Sequence, residues 1–205
     1  MDTFIFILEI IGTIAFASSG AMIAIEKKMD IFGVNVLGAT TAVGGGIMRD
    51  VILGLAPPTA FSKPVYILIA VVTSTILFAI AYVKMDAMRS ITKSEYYDRL
   101  MFWCDTAGLG IFTVVGIQTA SRMMQENNAF FFVFIGVLTG VGGGVLRDIM
   151  AGETPYILVK HIYACAAIAG GVVCVVSRNM LGSAAGILLG LAVTEFLFFG
   201  WVERV

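Results

Sequence analysis

The sequence predicts an all-α polytopic membrane protein, with seven transmembrane helices arranged as two inverted three-helix repeats plus one extra helix, the second and fifth helices being kinked. Three observations predict it. Of 205 residues, 59% are hydrophobic and 13% charged, with a mean hydropathy of +0.97, where a soluble domain carries roughly a quarter charged residues. Seven apolar stretches each have about the 20 residues a helix needs to cross a bilayer. A motif of three glycines followed by Arg-Asp occurs twice, in two of those stretches.

The stretches follow in order at 4–25, 31–55, 64–83, 101–122, 129–151, 156–177 and 181–201. Polar connectors divide them. Glu26-Lys27-Lys28-Met29-Asp30 closes the first, and the Pro57-Pro58 turn with Lys63 closes the second. The third ends in a connector at 84–100, the longest of the chain, and shorter polar segments follow at 125–128 and 153–161. Arg178-Asn179 separates the sixth stretch from the seventh. Barrel strands would be about ten residues long and alternate in polarity, whereas these runs are continuous and twice that length, so they read as helices. The expected organisation is a first repeat at 1–83, a cytoplasmic connector at 84–100, a second repeat at 101–178, and the seventh helix with the C-terminus at 179–205, with no extramembrane domain.

Seven crossings place alternate connectors on opposite sides, and the positive charges orient the chain. One side holds three, Lys63, Arg122 and Arg178, and the other holds eight, Lys27, Lys28, Lys84, Arg89, Lys93, Arg99, Lys160 and Arg204. The side with eight is expected to be cytoplasmic, with the N-terminus outside and the C-terminus inside. Met1-Asp2-Thr3 leads into Phe4-Ile5-Phe6 without a basic residue, so the first stretch is expected to remain as a span rather than be removed as a signal. A net charge of -1 offers no basic stripe to a nucleic-acid backbone. Cys104, Cys165 and Cys174 form no C-x-x-C and read as small apolar residues, with no disulfide or metal implied.

Gly44-Gly45-Gly46-Ile47-Met48-Arg49-Asp50 in the second span recurs 98 residues later as Gly142-Gly143-Gly144-Val145-Leu146-Arg147-Asp148. Gly54 and Pro57 match Gly152 and Pro155 at the same offset. Upstream, Glu9, Gly12, Phe16 and Gly20 match Asp105, Gly108, Phe112 and Gly116 at an offset of 96. A repeat with an odd number of spans must reverse its direction in the second copy. Inverted repeats are a recurrent transport architecture, with the pathway at their interface and helices interrupted near the midplane.

The triplets and the charges make two separate physical statements. Each glycine costs a helix interior roughly 1 kcal/mol relative to alanine, so three together mark a place where the backbone bends, unwinds or admits a close neighbour. An Arg and an Asp at membrane depth cost several kcal/mol unless paired or hydrated. Together they suggest a wet path with a charged pair at each end, Arg49 and Asp50 toward the outside, Arg147 and Asp148 toward the cytoplasm. Gly44, Gly45, Gly46, Gly142, Gly143 and Gly144 are candidates for transient contact with potassium, and the hydroxyls of Ser18, Ser19, Thr40, Thr41 and Thr139 for lining the path.

Blander readings stand beside these. Glycine stripes also let membrane helices pack closely, which suits Gly182, Gly186, Gly190 and Thr194 of the seventh span. The charged pairs can cap a bent helix, and Ser or Thr commonly bonds a carbonyl of its own helix. Glu9, Asp105 and Glu195 are further intramembrane acids, and His161 is an isolated interface residue given no role. No nucleophile elbow, metal-binding histidine pair, phosphate loop or cofactor motif appears, so neither an enzyme nor a cofactor is expected.

With the doubled Gly-Gly-Gly-x-x-Arg-Asp motif and three plus three plus one helices, the chain resembles the prokaryotic trimeric intracellular cation (TRIC) channels. The same repeat domain occurs in bacterial membrane proteins described as glycine transporters. The resemblance spans nearly the whole chain and implies a homotrimer whose protomers each hold a hydrophilic pore, walled by the glycine-kinked second and fifth helices and conducting potassium and other monovalent cations. The residues that match the motif are the two triplets with Arg49, Asp50, Arg147 and Asp148. A multi-pass protein of a prokaryotic inner membrane is implied, with lipids as its surroundings. The connector, in which Lys84, Arg89, Lys93 and Arg99 alternate with Asp86, Glu95 and Asp98, is close to neutral and gives weak support for an anionic-lipid site. Two functions stay open: a passive cation channel, and a transporter of glycine or another small zwitterion with Asp50, Asp148 or Glu9 receiving the ammonium. A structural subunit without a pathway is the third and blandest reading.

Overall fold

The computed structural model describes residues 2–83, 95–124, 128–159 and 161–202, with side chains described over 3–83, 99–124, 128–159 and 163–198. The charges of Lys84, Arg89, Lys93, Lys160 and Arg204, and the side chain of His161, lie outside them. The helices are α1 (Asp2–Glu26), α2 (Ile31–Ile52), α3 (Thr59–Ser62), α4 (Val65–Val83), α5 (Glu95–Met123), α6 (Ala129–Met150), α7 (Tyr156–Val159), α8 (His161–Leu181) and α9 (Ser183–Val202). Among the described residues six are long and apolar enough to cross a membrane, and α9 adds a shorter apolar stretch at Ser183–Phe198.

Polarity is reversed relative to a water-soluble domain. Phe32, Val83, Phe130 and Phe196 are exposed, while Arg49, Asp50, Arg147 and Asp148 are buried. A bilayer dictates this arrangement, because hydrocarbon solvates the apolar exterior and charges persist inside it only where they are paired or hydrated.

Two groups of three long helices form, α1 with α2 and α4, and α5 with α6 and α8, with α9 packed on α8 and α5. They meet where α2 crosses α6 and α1 lies against α5. In the first group Gly20 faces the Leu37 carbonyl and the Gly38 backbone, and in the second Gly116 faces the Gly136 backbone, so related glycines bring the helices together in both. Gly186 and Gly190 pack in the same way against Cys174 of α8, which gives the seventh-span stripe its packing role. Gly182 instead forms the turn between α8 and α9, at φ +92.

Both glycine triplets lie inside unbroken α-helix. Of the bend, unwinding or close neighbour that their weak helix propensity allows, the helices do not unwind and a close neighbour is present. A Cβ on Gly45 would run into the Thr139 carbonyl, and one on Gly143 into the Thr41 carbonyl. A Cβ on Gly44 would meet Leu146, and one on Gly142 would meet Met48. These pairings run antiparallel, and the middle glycines allow backbone to touch backbone. The third glycines behave differently, since a Cβ on Gly46 would meet Arg49 Nη2 at 3.8 Å, and one on Gly144 the Tyr163 hydroxyl at 3.6 Å and Arg147 Nη2 at 3.8 Å, all ordinary contacts.

Two boundaries depart from the sequence expectation. The second span stops at Ile52, where Gly54 at φ +73 lets the Leu55 N–H turn back to the Asp50 carbonyl at 2.8 Å. Only glycine adopts that conformation without strain. The sixth stretch opens on α7, whose first N–H, that of Tyr156, is held by the Asp148 carboxylate at 2.7 Å. The long connector is shortened from its far end, since α5 already begins at Glu95. Lys27 pairs with Glu153 at 2.6 Å, joining the α1–α2 turn to the segment after α6. That hydrogen bond holds the exposed Lys27 ammonium above its ordinary range.

Gly45→Leu is expected to destabilise the protein in detergent by about 1–3 kcal/mol, as overpacking does, or to prevent assembly. Gly46→Ala, which adds a methyl at ordinary contact distance from Arg49 and favours helix, is expected to be neutral or stabilising by up to about 1 kcal/mol. Thermal unfolding of both variants checks the distinction between the second and third glycine.

Candidate functional site

Arg49 and Asp50 occupy the last turn of α2, one turn beyond Gly45 and Gly46, and Arg147 and Asp148 hold the same place in α6. In both, the aspartate does two jobs. Asp50 Oδ1 accepts from Arg49 Nε at 2.8 Å and Oδ2 from the Thr59 N–H at 2.6 Å. Asp148 Oδ1 accepts from Arg147 Nε at 2.9 Å and Oδ2 from the Tyr156 N–H at 2.7 Å. Each carboxylate thus neutralises its neighbouring guanidinium and pins the short helix that follows, α3 or α7.

A second acid completes each cluster. Tyr66 donates its hydroxyl to Glu9, and Tyr163 donates to Asp105 at 3.4 Å. The sequence reading singled out neither tyrosine. Both lie in the first turn of a long helix, α4 or α8, and 97 residues apart, so extending the repeat through its third helix would have found them.

The two clusters differ in how their arginines are held. Arg147 Nη1 donates to both Asp105 and Ser19, Nη2 reaches Asp105 Oδ2 at 3.4 Å, and Ser19 donates to Asp105 Oδ1 at 3.1 Å. Arg147 also pairs with Asp148 through Nη2 at 2.8 Å. One buried guanidinium thereby joins α1, α5 and α6. Among the described residues Arg49 pairs with Asp50 alone. The counterpart of Ser19, 96 residues later, is Val115, which has no oxygen to offer.

Beside Arg49 lies a cavity of about 40 Å³, lined by Glu9, Thr13, Gly46, Arg49, Asp50 and Tyr66 with Phe112. That space is on the scale of a few water molecules. Along α1, Phe16 falls between Glu9 of this cluster and Ser19 of the other, and its ring meets that of Phe112 at 5.3 Å. Phe16 also lies against Gly108 and Gly143. An aromatic pair and the α2–α6 crossing therefore stand between the two charged clusters.

The candidate hydroxyls separate on this geometry. Ser18, Thr41 and Thr139 donate to the carbonyls of Ile14, Leu37 and Ile135, each four residues back in its own helix. Thr40 lies one turn before Gly44, with its methyl turned toward that glycine. Ser19 alone of the five joins a charged cluster. Glu195 of α9 lies beside Gly110 of α5, apart from both clusters. No group of three or more metal-ligating residues exists among the described residues.

A family model described as Glycine transporter matches the chain twice, over residues 6–82 and 102–179. A UPF0126 membrane protein of Deinococcus radiodurans is 36% identical over 203 residues, which is 96% of this chain and 86% of that protein. The UPF0126 inner membrane protein YadS of Escherichia coli (strain K12) is 40% identical over 170 residues, covering 81% of this chain and 75% of its own length. Among solved structures, the TRIC trimeric intracellular cation channel orthologue from Rhodobacter sphaeroides is similar with a TM-score of 0.87 at 30% identity, over 99% of this chain and 100% of that one. A prokaryotic TRIC channel crystallised in 0.5 M KCl gives a TM-score of 0.88 at 30% identity, over 100% of this chain and 98% of its own.

Removing a cation from a buried cluster leaves its acids uncompensated, at a cost of about 3–5 kcal/mol. Arg147→Met strands both Asp105 and Asp148, and is expected to destabilise the protein more than Arg49→Met, which strands Asp50 with its Thr59 bond intact. Unfolding of the two variants in detergent checks the order, and equal losses would contradict the asymmetry.

Proposed function

We infer that this chain, which belongs to the TRIC channel family and to the wider membrane-protein family whose model is described as Glycine transporter, is a cation channel with its pathway inside the protomer, along α2 and α6. The observation that carries the reading is the pairing of two buried Arg–Asp clusters, at opposite ends of an antiparallel crossing, with likeness over essentially the whole chain to solved channels. Potassium is the expected permeant ion, with other monovalent cations following it. The chain acts without a cofactor and is not an enzyme.

The proposed topology is seven spans, α9 being the last, with the N-terminus outside and the C-terminus in the cytoplasm of a prokaryotic inner membrane. The first repeat occupies 1–83 and the second, inverted, 101–178, with the connector 84–100 and the final segment 179–205. The double match of one family model supports the duplication, and the antiparallel glycine pairings support the inversion. The Lys27–Glu153 pair supports placing both of those connectors on one side. Three protomers assemble in the membrane, by analogy with the trimeric relative.

Conduction requires the Phe16–Phe112 pair and the α2–α6 crossing to part. A bend of both helices at the triplets does this without breaking the covalent frame, and the kinks belong to that conducting form. Gly46 and Gly144, whose positions open toward the arginines rather than into a packed crossing, are the triplet members best placed to touch a passing cation. Gly44, Gly45, Gly142 and Gly143 act through the crossing.

A second reading has its own support. The cavity is lined by the Arg49 guanidinium and by the Glu9 carboxylate, which is held by Tyr66 and not by Arg49, the arrangement that would receive a zwitterion such as glycine. Recordings on purified protein in planar bilayers under a potassium gradient decide between them. Discrete steps reversing near the potassium potential in the wild type, lost in Gly45→Leu, are expected. Protein that carries no current but accumulates labelled glycine in liposomes would overturn the channel and establish the transporter.

A further inference from the structure

We propose that Glu9 is the residue that draws cations into the outer mouth and sets its preference for cations over anions, an inference that rests on the channel reading. The cavity wall holds two carboxylates, Glu9 and Asp50, against one guanidinium, Arg49, so one negative charge is left over. Asp50 is committed, with one oxygen on Arg49 Nε at 2.8 Å and the other on the Thr59 N–H at 2.6 Å. Among the described residues the Glu9 carboxylate meets only the Tyr66 hydroxyl, a neutral donor that orients the charge without cancelling it. Thr13 does not compete for it, since its hydroxyl donates to the Glu9 backbone carbonyl at 2.6 Å.

The uncompensated charge therefore belongs to Glu9, on the wall of the cavity. At the other end the equivalent acid, Asp105, is bonded by Arg147, Ser19 and Tyr163, which leaves its charge consumed inside a packed cluster. A fixed charge on the wall of a narrow cavity with low-dielectric surroundings concentrates ions of opposite sign and excludes like ones. Glu9 is thus a specificity-determining residue, and it acts on one side of the membrane.

The test uses the full chain in planar bilayers with KCl. Glu9→Gln is expected to lower the potassium-to-chloride permeability ratio about threefold or more and the conductance about twofold in dilute salt, with both differences shrinking at 1 M, where the Debye length is about 3 Å. Glu9→Cys treated from the outer side with a negatively charged methanethiosulfonate should regain selectivity, and with a positively charged one should lose more. The wild type, with its own Cys104, Cys165 and Cys174, is the reference for that treatment. In the wild type itself, diluting KCl on the outer side alone should lower the inward current less than in proportion. A proportional fall, or Glu9→Gln with unchanged selectivity in dilute salt beside a conducting wild type, overturns the proposal and leaves the channel standing. A wild type that passes no potassium current overturns the channel reading and this one with it.

Discussion

The direct approach of α2 to α6 at Gly45 and Gly143 is the constraint on which the rest of the molecule depends. Within a bilayer, helices gain nothing by escaping solvent, because lipid tails are as apolar as their side chains, and association relies on close van der Waals contact and hydrogen bonds. Removing the Cβ at both positions lets each helix touch a carbonyl of the other, at Thr139 and at Thr41. Because the contact is antiparallel, the turn beyond it on α2 and the turn beyond it on α6 point to opposite ends. The position of both charged clusters follows from that one crossing.

Charge burial then shapes the ends. A guanidinium at membrane depth needs a counter-charge that does not wander, and a neighbouring aspartate on the same helix provides one that moves with it. The spare oxygen of that aspartate holds the N–H that opens the next short helix, so the electrostatic solution is also the link between a long span and its connector. The more distant acid is where the ends part company. Asp105 is drawn into the Arg147 cluster, while Glu9 stays with a tyrosine.

What the sequence disclosed follows the same physics. The spans were legible because crossing a bilayer demands about twenty apolar residues and little else. Arg49, Asp50, Arg147 and Asp148 stood out because charge inside an apolar run is costly and here occurred twice. Tyr66 and Tyr163 were easy to pass over for the opposite reason, since an aromatic residue in an apolar stretch costs nothing, and only the repeat spacing of 97 residues marks them. The triplets were legible as weak helix that could bend, unwind or admit a close neighbour, and only the fold shows that a neighbouring helix fits into them. Ser19 looked no different from Ser18, and only the fold places one against Arg147 and turns the other back to its own helix.

Position 19 carries serine where position 115 carries valine, and that difference has a consequence in the language of inheritance. Two identical half-size chains meeting head to tail would share one coding sequence, so every substitution would strike both charged clusters together and any improvement at one would be imposed on the other. Joining the halves in a single polypeptide gives each cluster its own codons. The hydroxyl that locks Arg147 in place can be kept at one end while the opposite end forgoes it, and selection is free to make one face of the membrane firm and the other permissive.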